Sequence, residues 1–135
     1  KNNKINKNVF DKNYFFYFEI VDFAVNLKKS GKKIYVAKKI KFHHHGSSSL
    51  PASYNNLAIK TRAFHYNWSK FYYFKKNYSY FYALRKILPN LIKGLKKIIF
   101  SIIRLDVANI KLGLLELYGI ITAVSNLGSF FRPKN

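Results

Sequence analysis

Tyr14-Phe-Phe-Tyr-Phe18 is a short aromatic block of the kind that forms a buried strand. Directly after it, Ile20, Phe23, Ala24 and Leu27 fall at i, i+3, i+4 and i+7, one apolar face of a helix. Glu19 suits the first turn of that helix and Lys28 and Lys29 its last, and Ser30-Gly31 stops it. Ile34, Val36, Ile40 and Phe42 recur at even spacing and predict a strand over 34–42, followed by a polar loop from His43 through Ser53. Strand, helix and strand in about thirty residues is an α/β rhythm. From Asn56 the pattern turns helical, through Trp68 to Tyr82. Leu91, Ile92, Leu95, Ile98, Ile99, Ile102 and Ile103 then form a second apolar stripe, with Pro89 near its start and Lys93, Lys96, Lys97 and Arg104 between its members. A last helix is expected from Asp106, a good N-cap, to about Asn126, with Gly128 ending it.

The length of 135 residues suffices for one hydrophobic core and excludes a complete multidomain enzyme. Lys1 stands first rather than Met, and a dense motif appears within twenty residues, so the chain is expected to be a C-terminal fragment. Hydrophobic residues make up 49% of it and aromatic ones 19%, which argues against disorder. Lys and Arg number 25 against five acidic residues, a net charge of +20, and from Phe23 to Leu105 there are 18 cations and no carboxylate. Such a surface attracts phosphodiesters, acidic lipid heads or a nucleotide diphosphate. A competing cause is codon bias, because 73 of the 135 residues are Lys, Asn, Ile, Phe or Tyr, all with AT-rich codons. The absence of Cys removes disulfides, thiolate metal sites and Cys nucleophiles, and fits a reducing cytoplasm. No signal peptide stands out. The longest uncharged apolar-rich run, Leu117 to Phe131, falls short of the ~20 residues that span a bilayer, so any membrane contact is expected to be peripheral.

Three clusters can carry chemistry. Glu19, Asp22 and Asn26 share a helix face, and a carboxylate in a basic, partly desolvated cleft can take a proton from a hydroxyl nucleophile; the same acids can equally be a solvated helix start that satisfies the dipole. His43, His44 and His45 alternate sides at a strand end, so at most two face one site, beside Gly46 and three serines suited to phosphate oxygens; a polar loop with solvated histidines is the plain alternative. Between Arg62 and Lys76, cations and aromatics interleave. Arg62, His65 and Trp68 or Ser69 fall on one helix side able to hold a diphosphate and stack on a ring, yet the segment also suits single-stranded nucleic acid or a core helix with a basic outer face.

Asp11-Lys-Asn-Tyr-Phe-Phe-Tyr-Phe-Glu-Ile-Val-Asp-Phe23, then Leu27 to Tyr35, then His44-His-Gly-Ser-Ser-Ser49 resemble the acceptor half of bacterial family 2 glycosyltransferases, rhamnosyltransferase-like members above all. Arg62 to Lys76 is similar to the family's Arg-Asn-x-His-x-x-Trp-Ser segment, and Phe130-Phe-Arg-Pro133 to its closing Tyr-Arg-Pro. The resemblance implies an α/β fold: the acceptor-side, C-terminal portion of a GT-A domain over residues 1–83, then a basic amphipathic helical tail over 84–135. It assigns Glu19 and Asp22 to the acidic motif that supplies the catalytic base. His44 would help to coordinate the donor's metal or diphosphate, Ser47 and Ser48 would line that pocket, and Arg62, His65 and Trp68 would bind substrate. Two departures stand out, Ile20 where the family's second acid lies and Asn26 where an Arg is common.

The function so implied is inverting transfer of a sugar from a nucleoside-diphosphate sugar to a lipid-linked or polysaccharide acceptor in cell-surface glycan synthesis. A divalent metal (Mg or Mn) is expected only in the complete enzyme, since the Asp-x-Asp half is not here and the piece alone should not catalyse. The expected location is cytoplasmic, peripheral on the inner face of the cell membrane. Residues 84–127, with Lys86, Lys93, Lys96, Lys97, Arg104 and Lys111, are expected to lie on that anionic surface or to pack against the missing half. The alternative is a non-catalytic basic module that binds nucleic acid, which the charge permits. Such a module has no need of Glu19 and Asp22 before a His-x-Gly-Ser-Ser loop, so no nucleic-acid partner is expected. Over 14–49 the order is expected to be strand, helix, strand and loop, with Glu19, Asp22 and His44 turned to one cleft.

Overall fold

Three helix ends in this chain close by the same device. In the computed structural model, which describes residues 10–41, 43 and 55–132, the helices are α1 (Glu19–Lys29), α2 (Asn55–Asn77), α3 (Tyr80–Ile103) and α4 (Val107–Val124). At the end of α1, Gly31 takes a φ of 76° while its N–H donates to the Lys28 carbonyl and that of Lys32 to Leu27. This paired arrangement, with a left-handed residue just past the helix, satisfies carbonyls that would otherwise have no donor. Leu105 (φ 54°) closes α3 and Asn126 (φ 59°) closes α4 with the same two bonds. The stop of α4 is therefore Asn126, a residue that tolerates the left-handed region, and not Gly128.

The α/β expectation is overturned: among the described residues there are four helices and no strand. At 14–18 the reason is backbone geometry. Tyr17 and Phe18 have φ of 67° and 66°, which bends the chain and breaks the alternation a strand requires. Phe18 is instead the residue that precedes α1. Over 32–37 the chain is irregular, with Ile34, Tyr35 and Val36 exposed. No neighbouring backbone among the described residues completes a ladder there, and an isolated extended segment does not hold as a strand. Residue 42, the end of that expected strand, and most of the loop after it lie outside the described residues.

The pattern expected as one helix through Tyr82 is two. α2 ends at Asn77, and Ser79, in extended conformation, accepts the Tyr82 N–H at 3.2 Å and starts α3. Pro89 sits inside α3 rather than near its start. Its missing N–H leaves the Arg85 carbonyl without a donor on an exposed turn where water can serve. Asp106 caps α4 as the sequence suggests, accepting the Asn109 N–H at 3.0 Å.

α2, α3 and α4 pack on one another around Phe64, Trp68, Phe71, Ala83, Ile87, Ile120 and Ala123. The boundary expected after residue 83 thus falls inside α3, between two members of one core. The α2–α4 contact is close because Gly119 has no side chain: a Cβ there would lie 2.3 Å from the Phe64 carbonyl oxygen. Gly113 does the same against Ile98, at 2.6 Å. By length and composition α4 is long and apolar enough to cross a membrane. It begins at Val107, well ahead of the uncharged run that starts at Leu117, because Lys111 and Glu116 interrupt that run without interrupting the helix.

Gly119→Ala must push α4 off the α2 backbone, and we expect a loss of about 3 kcal/mol in urea unfolding. Gly128→Ala, with nothing within 4 Å of the added carbon, is expected to stay within about 0.5 kcal/mol of the parent.

Candidate functional site

α1 meets α2 through charge. The apolar stripe of α1 places the acids on the solvent side, but Asp22 is 1% exposed and Ile20 is 67% exposed. The helix is rotated so that Asp22 faces the polar C-terminal end of α2. Lys76 Nζ donates to Asp22 Oδ2 at 2.6 Å and to Asp11 Oδ2 at 2.8 Å. Asn77 Nδ2 donates to Asp22 Oδ1 at 2.8 Å, and Asn26 Nδ2 to Oδ2 at 3.2 Å. Asp11 also accepts the Tyr72 hydroxyl at 3.0 Å and the Asn13 N–H at 2.9 Å. Burial works to raise the Asp11 carboxyl, and the bonds from Lys76, Asn13 and Tyr72 outweigh it and hold it below 3.8. Lys76 is opposed by burial too, yet its two carboxylates carry it above 10.5.

Glu19 is placed differently. Its Oε2 is buried and has no hydrogen-bond partner. Of the two acids expected to supply a base, Asp22 is thus the anchor of α1, with donors on both oxygens, and Glu19 is the one with a buried oxygen that has no donor.

The structure separates the expected substrate residues. His65 is fully buried, and its Nε2 lies 2.8 Å from the Phe131 carbonyl oxygen. Burial first, and then the nearby Arg132 cation, press the imidazole below its ordinary 6.5, against the opposing pull of that carbonyl. Trp68 Nε1 donates to the Leu127 carbonyl at 2.9 Å, and the indole stacks on Tyr72. Both rings hold the segment after α4, where Phe131 also stacks on Phe64 and the Arg132 guanidinium lies 3.5 Å from the Phe15 ring centre. Ser69 completes the fastening on the other side, donating to the Phe16 carbonyl at 2.6 Å.

Arg62 is exposed at a cleft of about 300 Å³ between α2, α3 and α4. Tyr17, Tyr66 and Asn67 line it together with the ion pair of Lys97 and Glu116. His44, Ser47 and Ser48 lie outside the described residues, so the common cleft expected for Glu19, Asp22 and His44 does too. Among the described residues no three His, Asp or Glu side chains gather as a metal site, and the cationic group beside Asp22 is the Lys76 ammonium. Lys76, Asn77 and Asp11 were missed as site-building residues. The one signal for them was the Lys75-Lys76 pair at the end of α2, which reads equally as a helix-dipole match.

No family model matches the chain, and no curated protein or solved structure does.

Removing the Asp22 charge leaves its donors on a buried amide, and Asp22→Asn is expected to cost about 3 kcal/mol in chemical denaturation. Glu19→Gln, which breaks no hydrogen bond at Oε2, is expected to change stability by under about 0.5 kcal/mol. The pH dependence follows from His65. It is held below 6.5 when folded and takes a proton near 6.5 when unfolded, so its contribution is present above 6.5 and lost as pH falls below that value. Unfolding midpoints should therefore drop between about pH 7 and 5, and His65→Gln should flatten that drop.

Proposed function

We propose that this chain carries the acceptor-side chemistry of an inverting sugar transferase, with Glu19 as the carboxylate that takes the proton from the acceptor hydroxyl. The observation that supports the reading is the Glu19 Oε2 atom, buried and without a partner in a chain of net charge +20. The lone pairs of Glu19 Oε2 are engaged by no donor, whereas both oxygens of Asp22 are bonded, to Lys76, Asn77 and Asn26. The acceptor oxygen, losing its proton to Glu19, attacks the anomeric carbon while the bond to the diphosphate oxygen breaks. A nucleoside diphosphate leaves and the configuration inverts.

Such transfer needs a nucleotide-sugar region with an Asp-x-Asp motif, which these 135 residues do not contain. The donor's diphosphate and its Mg or Mn ion would belong to that region. The acceptor is a lipid-linked or polysaccharide hydroxyl.

In the enzyme joined to that region, sugar transfer from a panel of labelled nucleoside-diphosphate sugars is the measurement. Glu19→Gln is expected to lower kcat by ~10²–10⁴-fold with an unchanged melting temperature. Ile20→Asp, at an exposed position beside it, is expected to raise turnover. Transfer by Glu19→Gln within about threefold of the parent, well short of a general base's share, would remove the assignment.

A further inference from the structure

α3 carries apolar side chains on two faces. Its buried residues are Ala83, Ile87, Gly94 and Ser101, three of them small, and Tyr80, Leu84 and Leu91 pack partly buried against the core, while a second set of large apolar side chains points away from the bundle. Phe81, Leu88, Ile92, Leu95, Ile99 and Ile103 are all exposed, Phe81 at 81%, Ile99 at 57% and Ile103 at 73%. Their spacings of seven, four, three, four and four residues put them on one face of the helix. From Phe81 to Ile103 that stripe is about 33 Å long. A helix of a water-soluble bundle carries its apolar stripe inward, so the outward stripe of α3 calls for an apolar neighbour.

The charge along the stripe identifies the neighbour. Arg85, Lys93, Lys96 and Arg104 are exposed on or just past the same helix, and α3 contains no acidic residue. Lys97, which points inward, is paired with Glu116 of α4. At the corner after α3 the exposed Leu105 and Val107 continue the apolar surface beyond Arg104. A second copy of this chain would bring a net charge of +20 against an equal one and would repel. An apolar layer topped by anions satisfies both the stripe and its cations. We infer that α3 lies flat in an anionic membrane surface, with the face of Phe81, Leu88, Ile92, Leu95, Ile99 and Ile103 in the acyl boundary and Arg85, Lys93, Lys96 and Arg104 among the headgroups. The helix lies on the surface rather than across it, because the cations at its middle would otherwise enter the hydrocarbon. This inference is independent of the transferase reading, and its test involves no sugar transfer.

The chain has no Cys, so one engineered thiol takes a label uniquely. Ile99→Cys on the stripe and Ser30→Cys at the exposed end of α1 are each labelled with an environment-sensitive fluorophore in the full 135-residue chain. Both are titrated with vesicles of phosphatidylcholine alone or with about 30% phosphatidylglycerol. The Ile99 probe is expected to shift to the blue and to become shielded from aqueous iodide with the anionic vesicles only, and the Ser30 probe to do neither. Binding should weaken on raising salt from about 0.05 to 0.5 M. The Arg85→Gln, Lys93→Gln, Lys96→Gln and Arg104→Gln combination, on the exposed flank of the stripe and checked for parental helicity by circular dichroism, should bind about a thousand-fold more weakly. Equal response to neutral vesicles, no response of the Ile99 probe to either kind, or equal shielding at both positions would overturn the inference. So would self-association that buries the Ile99 probe without lipid.

Discussion

A single ammonium group, Lys76 Nζ, joins two carboxylates that lie eleven residues apart, and the placement of α1 depends on it. α2, α3 and α4 have broad mutual contacts, but α1 has none of that extent with any of them. What fixes α1 is a set of polar bonds at the end of α2: Lys76 and Asn77 to Asp22, and Lys29 to the Asn77 side-chain oxygen at 2.9 Å. Because Lys76 also holds Asp11, the residues ahead of α1 are pinned at both ends. The aromatic segment between is thereby laid along α2, with Tyr14 edge-on to Tyr72, Tyr17 to Tyr66 and Phe18 beside Tyr73. Taking ions out of water offsets much of what their attraction contributes, so such a pair specifies register more than it stabilises. Here the register decides which acid of α1 is bonded on both oxygens and which has an oxygen without a donor.

The bundle that receives α1 is held by close approach. With Gly119 against the Phe64 carbonyl and Gly113 against Ile98, α4 comes near enough for its backbone to meet α2 and α3. Large side chains are then displaced to the outside, as with Leu114 and Ile121 of α4 and the stripe of α3. The same closeness makes room for the last described segment, whose carbonyls at Leu127 and Phe131 lie against Trp68 and His65. Two of the most conspicuous polar aromatics of the sequence are thus structural fasteners.

Local signals were legible where the chemistry is local. The Gly31 stop, the Asp106 cap and the dipole-matched ends of α1 are each settled within five residues, and each is found in place. What was not legible is which side of a helix meets the protein. Periodicity marks out the Ile20–Leu27 face and the Leu91–Ile103 stripe, but it counts a charge as outward and an isoleucine as inward. Asp22 and Ile20 reverse that, because the partner surface on α2 ends in Lys76 and Asn77. Strands failed for a related reason: an aromatic run at 14–18 is a property of composition, whereas the positive φ at Tyr17 and Phe18 comes from wrapping those rings over α2. No residue type among them announces that turn, since Gly and Asn are absent.

With only five acids in the chain, their duties can be followed one at a time. Asp11 and Asp22 share Lys76. Asp106 accepts both the backbone N–H and the side-chain amide of Asn109, which, with its position at the head of α4, makes it a cap. Glu116 pairs with Lys97 and ties α4 to α3. Each of these four closes a bond that a helix end or a helix contact requires, and replacing it would be felt as lost stability. Glu19 alone has a buried oxygen with no donor. A buried polar atom without a partner costs free energy, and the place of Glu19 in the first turn of α1, where an anion suits the helix dipole, offsets part of that cost. Glu19 therefore differs from the other four acids in that the fold supplies no hydrogen bond at its Oε2.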